Sequence, residues 1–338
     1  MTRRIRVLVV DDSAFARKVV RECLALDPQI EVVGTARDGL DALEKIAELS
    51  PDVITLDLVM PNLDGITLLG HLPASPPRVV ICSTAEVDSA MVVHALSLGA
   101  IASVHKPTAL ATERLYEIGR PLIEAVKLAA SAGHVGPAAL ELTPLTIAPR
   151  AVRTQFLAIG ASTGGPQAIS QILKALPADF PVPVAVVVHM PSGYTEGFAS
   201  RLNDNCALEV IEAHDGAALA PGRVIIARGG LHLCVHPSGG SVRLSVQPLD
   251  RPHRPSVDIL FTTAAAAFRD RTLAVVLTGM GDDGLVGSRA VVSAGGRVLT
   301  QSAATCVVYG MPRVVAEAGL SAGIAGLDEM ARTIGSAL

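Results

Sequence analysis

The chain has 338 residues, half of them hydrophobic, with five cysteines and a formal net charge of −4. That length allows two domains with a core each, and without a basic run the chain lacks the electrostatic footprint of a nucleic-acid-binding surface. Mean hydropathy is +0.45, yet no apolar run reaches the roughly 18–20 residues that cross a bilayer, so direct membrane insertion is not expected.

The N-terminus, MTRRIRVLVVDDSA, meets an acidic pair before a signal-like apolar core can form. The cysteines (Cys23, Cys82, Cys206, Cys234, Cys306) are odd in number and show no C-x-x-C spacing. Both features lead us to expect a cytoplasmic protein with reduced thiols.

From Ile5 to about Ser131, the short runs IRVLVV, EVVGTA, VITLDL, RVVICST and IASVHK alternate with segments of helical period. Val/Ile/Leu-rich runs of this kind suit strands buried on both faces of a parallel sheet, so the expectation is a five-stranded doubly wound α/β domain. Asp11 and Asp12 follow the first strand, Asp57 the third, Ser83 and Thr84 end the fourth, and Lys106 precedes Pro107 at the fifth. These turns share the carboxyl edge, where open parallel sheets place ligands. Converging carboxylates repel one another unless a hard cation such as Mg²⁺ sits among their oxygens. The chemistry this suggests is phosphoryl transfer to one carboxylate, with a hydroxyl and an ammonium for the phosphoryl oxygens. The plainer reading is that each Asp caps the helix after it.

On VVDDS, LDLVMPNLDG, CSTAE and HKP, in that order, residues 5–127 resemble a response-regulator receiver domain. The resemblance implies that Asp57 accepts phosphate from a histidine kinase and that Asp11, Asp12 and Asp57 hold Mg²⁺, with Val59 offering its backbone carbonyl. It also implies that Thr84 and Lys106 sense the phosphoryl group. Ser103 departs from the pattern, standing where the family commonly carries Tyr or Phe.

Residues 130–152, rich in Ala, Gly, Pro and Thr without periodicity, read as a linker between domains at 1–129 and 153–338. A second alternation follows in FLAIGAS, VPVAVVVHM, RVIIA, LAVVLTG and RVLT. It predicts a larger, mostly parallel α/β/α domain, with LHLCVHPSGGSVRLSV as a small antiparallel hairpin.

In LAIGASTGGPQAIS, Ser162 stands on a sharp strand-to-helix turn. It could be a nucleophile, part of a phosphate cradle, or simply a helix N-cap, and the loop alone does not choose. The loop matches neither dinucleotide nor P-loop glycine patterns, nor G-x-S-x-G. His189 ends the next long apolar run, and Asp282 and Asp283 follow LAVVLTGMG. Ser, His and Asp thus emerge from strand ends on one edge, and triads are recognised by geometry and role, not chain order.

Together IGASTGGP, VVHMPSGYTEGFASRLN, HRPSVDILF, LTGMGDDG and VVYGMPR resemble the catalytic domain of the CheB methylesterase family over about residues 154–336. The resemblance implies hydrolysis of γ-glutamyl methyl esters on the cytoplasmic domain of chemoreceptors, often with glutamine deamidation, and no cofactor for the esterase reaction. It makes Ser162 the nucleophile, His189 the base and Asp283 its orienting partner, with Met280 N–H a candidate oxyanion donor and Thr163 a support. Val188 and Arg228 depart from the usual Gln and Pro, a difference that bears on substrate contacts. Architecture and family further imply that the receiver obstructs the Ser162 edge until Asp57 is phosphorylated. An enzyme-like domain that only binds partners is the alternative, and a DNA-binding regulator is disfavoured for want of a basic helix.

One rival constellation remains in LHLCVHP, where His232, Cys234 and His236 recur with period two. On a strand they would share a face with ligand types suited to Zn²⁺. The expectation is that they do not bind metal, with His232 near the substrate groove instead.

Overall fold

A computed structural model describes residues 3–73, 75–84, 89–106, 118–132 and 154–338. The chain divides into two compact units, Met1–Ala138 and Ala139–Leu338.

The first unit alternates β1 (Ile5–Val10), α1 (Ala14–Leu24), β2 (Ile30–Ala36), α2 (Gly39–Leu49), β3 (Val53–Leu56), α3 (Gly65–Gly70), β4 (Arg78–Thr84), α4 (Ser89–Ser97), β5 (Ala102–Lys106) and α5 (Gly119–Ser131). Its sheet has the order β2-β1-β3-β4-β5 with every pair parallel. The caps of α1, α2 and α3 are Ser13, Asp38 and Asp64, each accepting from an amide three residues on. Asp11, Asp12 and Asp57 are therefore not spent as helix caps. The helix α5 ends at Ser131, and residues 133–153, most of the expected linker, lie outside the described residues.

The second unit runs β6 (Phe156–Ala161), α6 (Gly165–Ala175), β7 (Val184–Val188), α7 (Thr195–Asn205), β8 (Glu209–Glu212), β9 (Arg223–Ile226), β10 (His232–Val235), β11 (Val242–Ser245) and α8 (Val257–Phe268). It continues through β12 (Thr272–Val276), α9 (Leu285–Ser293), β13 (Arg297–Gln301), α10 (Met311–Glu317), β14 (Gly323–Ala325) and α11 (Leu327–Ser336). Seven parallel strands form the sheet β14-β13-β12-β6-β7-β9-β8, and β10 pairs antiparallel with β11. Strands β6, β7 and β12 are buried along their whole length, as strands covered on both faces must be. The two edge strands, β8 and β14, were not expected from the sequence. At β6 the chain order reverses direction across the sheet, and such switch points open a crevice at the carboxyl ends.

Gly160 in β6 is required by its neighbour across that crevice. A Cβ there would stand 2.2 Å from Val257 Cγ1, so glycine lets the start of α8 lie against the end of β6.

Candidate active site and phosphorylation site

In the second unit, three adjacent strands deliver the expected residues. Ser162 follows β6, His189 follows β7, and the turn Thr278–Asp283 follows β12. His189 N–H donates to Ala161 O at 3.2 Å, tying the two strand ends together.

His189 Nε2 hydrogen-bonds Asp283 Oδ2 at 2.8 Å, with both side chains 9% exposed. Asp283 also accepts from Ser256 Oγ at 2.9 Å, Val257 N–H at 2.7 Å and Asp258 N–H at 2.9 Å. It thus sits on the N-terminus of α8 and takes over the capping that Ser256 does not perform for its own helix. Burial alone would raise its pKa, but the His189 bond and the helix amides outweigh that and hold it at about 2. The arrangement is reciprocal. Asp258, in the first turn of α8, accepts from the amides of Gly284 at 2.9 Å and Gly287 at 2.7 Å, at the start of α9. Two helices therefore clasp each other through their acids, which fixes where Asp283 can be.

An ionised carboxylate only accepts, so Nε2 carries the proton in neutral His189. The basic lone pair is then on Nδ1, which is buried and has no hydrogen-bond partner. The Ser162 hydroxyl is not bonded to it here, as is common in unliganded catalytic sites. Nor does Ser162 act as an N-cap. That place belongs to Gly164, in the left-handed region at φ 78°.

The backbone around Ser162 is turned by specific bonds. Ser162 N–H donates to Thr278 O at 3.0 Å and Gly279 N–H to Val308 O at 3.0 Å, so neither can face a substrate. Ser162 O accepts Gly165 N–H at 2.7 Å, and in a trans peptide that directs the Thr163 N–H the opposite way. Gly279 O accepts from Gly310 and Met311, which likewise turns the Met280 N–H outward. Among the described residues, neither amide has an acceptor. Gly279 makes this approach possible, since a Cβ there would stand 2.7 Å from Ser162 Cβ.

In the first unit, Lys106 Nζ lies 2.6 Å from Asp11 Oδ2 and 2.6 Å from Asp57 Oδ2, all three buried. The exposed Asp12 completes a set whose ligand atoms all lie within 4.8 Å of one another. Burial raises the pKa of Asp11, opposed by Lys106 and reinforced by Asp57. The ammonium of Lys106 is driven up: burial disfavours it, but the two carboxylates more than compensate. These hard oxygens, at this spacing, fit Mg²⁺. The Thr84 side chain lies outside the described residues.

Several readings need correction. Val188 is fully buried and so cannot touch substrate directly. His232 is also fully buried, with Nε2 against Pro248 O at 3.1 Å, so it lines no open surface. The strand β10 ends at Val235, and His236 turns to solvent. Among the described residues only Asp11, Asp12 and Asp57 form a metal-ready group. Conversely, the sequence reading passed over Ser256, Asp258, Thr278 and His253. The run Ser-Val-Asp at 256–258 was a helix-start signal that could have drawn attention to the first two.

Comparison with known proteins agrees with this geometry. Residues 157–334 match the family model "CheB methylesterase", and residues 7–117 the model "Response regulator receiver domain". The chain belongs to the CheB methylesterase family. A Myxococcus xanthus relative named protein-glutamate methylesterase/protein-glutamine glutaminase 5 is 55% identical over 333 residues, covering 96% of each chain. A Thermotoga maritima CheB-family relative of the same name, without the number, is 42% identical over 325 residues and 94% of each. The crystal structure of the Thermotoga maritima CheB methylesterase catalytic domain matches with a TM-score of 0.53 at 38% identity, covering 55% of this chain and 99% of that one.

Proposed function

We propose that this phosphorylation-regulated protein-glutamate methylesterase of chemotaxis hydrolyses γ-glutamyl methyl esters, and deamidates glutamines, through Ser162, His189 and Asp283. The observation that carries the reading is the His189–Asp283 bond seated on the α8 N-terminus, which leaves a free basic nitrogen beside the strand that bears Ser162. His189 Nδ1 takes the Ser162 proton as Oγ attacks the ester carbonyl, and then returns it to the departing methoxide. Methanol leaves, and a water activated by the same nitrogen releases the glutamate from the acyl-enzyme. The amides of Thr163 and Met280 hold the oxyanion, each preorganised because its peptide carbonyl is already bound elsewhere. Asp283 stabilises the imidazolium without itself taking the proton. No cofactor enters this reaction.

Control comes from the first unit. Asp57 receives phosphate from a histidine kinase, and Asp11, Asp12 and Asp57 hold Mg²⁺, with Val59 lending its carbonyl. When bound there, Mg²⁺ would offset the carboxylate charge and that of the incoming phosphoryl oxygens. Thr84 and Lys106 read the phosphoryl group, and the linker at 130–152 separates this domain (1–129) from the catalytic one (153–338). The site of action is the cytoplasmic part of chemoreceptors. A partner-binding role without catalysis is not favoured, because every group the ester chemistry needs is present.

The test is methanol release from methylated receptor membranes. Ser162→Ala abolishes it while the protein stays folded, and full turnover in that variant would assign the chemistry to another nucleophile. A fragment beginning near Arg150 is expected to outpace the full chain when no phosphodonor is present, and equal rates would remove the inhibitory role of the receiver.

A further inference from the structure

The histidine of the triad is not alone in its pocket. His253 lies in the loop before α8, and its ring stacks on that of His189 with centroids 4.1 Å apart and planes 19° from parallel. The loop is pinned on the far side of His253, where Arg254 O accepts Gly230 N–H at 3.1 Å and Ser256 Oγ bonds Asp283. His253 is itself exposed, and its ring stacks on a His189 that is almost fully enclosed.

A hydrogen bond to Nε2 alone only weakly opposes rotation of the imidazole about its Cβ–Cγ axis, because Nε2 lies close to that axis, and Nδ1 has no partner to resist the roll. A flat ring in stacking contact resists it, because rolling would drive one edge of His189 into its neighbour. Charge points the same way. When His189 is protonated, a neutral imidazole face accommodates the cation, whereas a second imidazolium at that distance would repel it. Burial and His189 lower the pKa of His253, against the pull of Asp283 and Asp282.

We propose that His253 is a positioning residue: its stacked ring fixes the plane of His189 so that Nδ1 keeps the one orientation in which it accepts the Ser162 proton. The inference rests on the triad reading above and deepens it. The measurement is kcat and KM for methanol release from methylated receptor, on full-length His253→Ala and His253→Phe with acetyl phosphate and Mg²⁺, beside wild type and Ser162→Ala. A thermal melt of each variant reports folding.

The expected result is a kcat loss of about 10- to 100-fold in His253→Ala, the scale of a misaligned reacting group. KM should change far less, and His253→Phe, which keeps a flat ring, should recover kcat to within about threefold of wild type. A folded His253→Ala with wild-type kcat overturns the inference. So does a folded His253→Phe as impaired as His253→Ala, since the stack would then not be what matters. Wild-type turnover that persists in Ser162→Ala would instead overturn the triad reading, and the inference with it.

Discussion

The two units each place a buried carboxylate against a nitrogen at the carboxyl edge of a parallel sheet, yet the two carboxylates stand in different surroundings, which suits the opposite roles proposed for them. Asp283 has its oxygens occupied by four donors: one imidazole, one hydroxyl and two helix amides. Among the described residues, Asp57 has Lys106 at 2.6 Å and a long contact of 3.4 Å from Val59 N–H. A carboxylate with saturated lone pairs is a fixed charge, whereas one with lone pairs still open can bind a metal or take a phosphoryl group. What surrounds the acid, rather than the acid itself, decides whether it reacts or supports.

The sharpest way to break this comparison is a pair of variants. Ser162→Ala should lose about 10⁴-fold or more in methanol release, yet take up phosphate from acetyl phosphate normally. Asp57→Asn should do the reverse, keeping unphosphorylated turnover and incorporating no phosphate. Phosphate uptake by Asp57→Asn, measured with a radiolabelled donor, would move the reacting carboxylate elsewhere.

Asp283→Asn comes next. Loss of the orienting charge should cost about 10³- to 10⁴-fold in kcat, less than loss of Ser162. It should also remove an acid-sensitive share of stability. The folded-state pKa is depressed to about 2, so the carboxylate contributes fully above about pH 4 and its contribution is lost as pH falls toward the folded value. The unfolding free energy of wild type from urea titrations should therefore drop over that window, by an amount on the order of 2 kcal/mol, and Asp283→Asn should flatten the drop. Parallel curves for the two proteins would place the acid sensitivity in other carboxylates.

Gly160→Ala is a milder test of how Asp283 is held. The added methyl would collide with Val257, whose amide is one of the four donors. Overpacking should cost about 1–3 kcal/mol, seen as a lower melting temperature. Displacement of the helix terminus should reduce kcat by about 10-fold. An unchanged kcat in a destabilised protein would mean that the cradle tolerates movement.

How much of this was legible in the sequence follows from burial and from chain separation. The strands β6, β7 and β12 announced themselves because both faces are buried, which forces unbroken apolar runs. The edge strands β8, Glu-Val-Ile-Glu, and β14, Gly-Ile-Ala, need no such composition and are only four and three residues long. Ser162, His189 and Asp283 were readable because each follows a strand that was readable. The cradle of Asp283 was not, since Ser256 and Asp258 lie 27 and 25 residues away and meet it only when α8 docks on β6. Period two grouped His232, Cys234 and His236 on one face only as a rival reading, with no metal expected there. Alternation predicts a shared face only while the strand continues, and β10 stops at Val235 with both of its faces covered.

The smallest expected effect separates backbone from side chain in the oxyanion site. The Thr163 amide is aimed by the Ser162 carbonyl bond to Gly165, and the Thr163 carbonyl is held by Thr278 Oγ1 at 2.9 Å. Neither bond involves the Thr163 hydroxyl. Thr163→Ala should therefore keep kcat within about threefold, whereas Thr278→Val, which removes the hydroxyl that anchors that carbonyl and accepts Val308 N–H at 2.9 Å, should lose about 10-fold or more by loosening the turn. If Thr163→Ala proves the more damaging of the two, the hydroxyl itself contacts the reacting group. The oxyanion would then be held by a side chain, in contrast to Asp283, whose support comes mostly from a helix backbone.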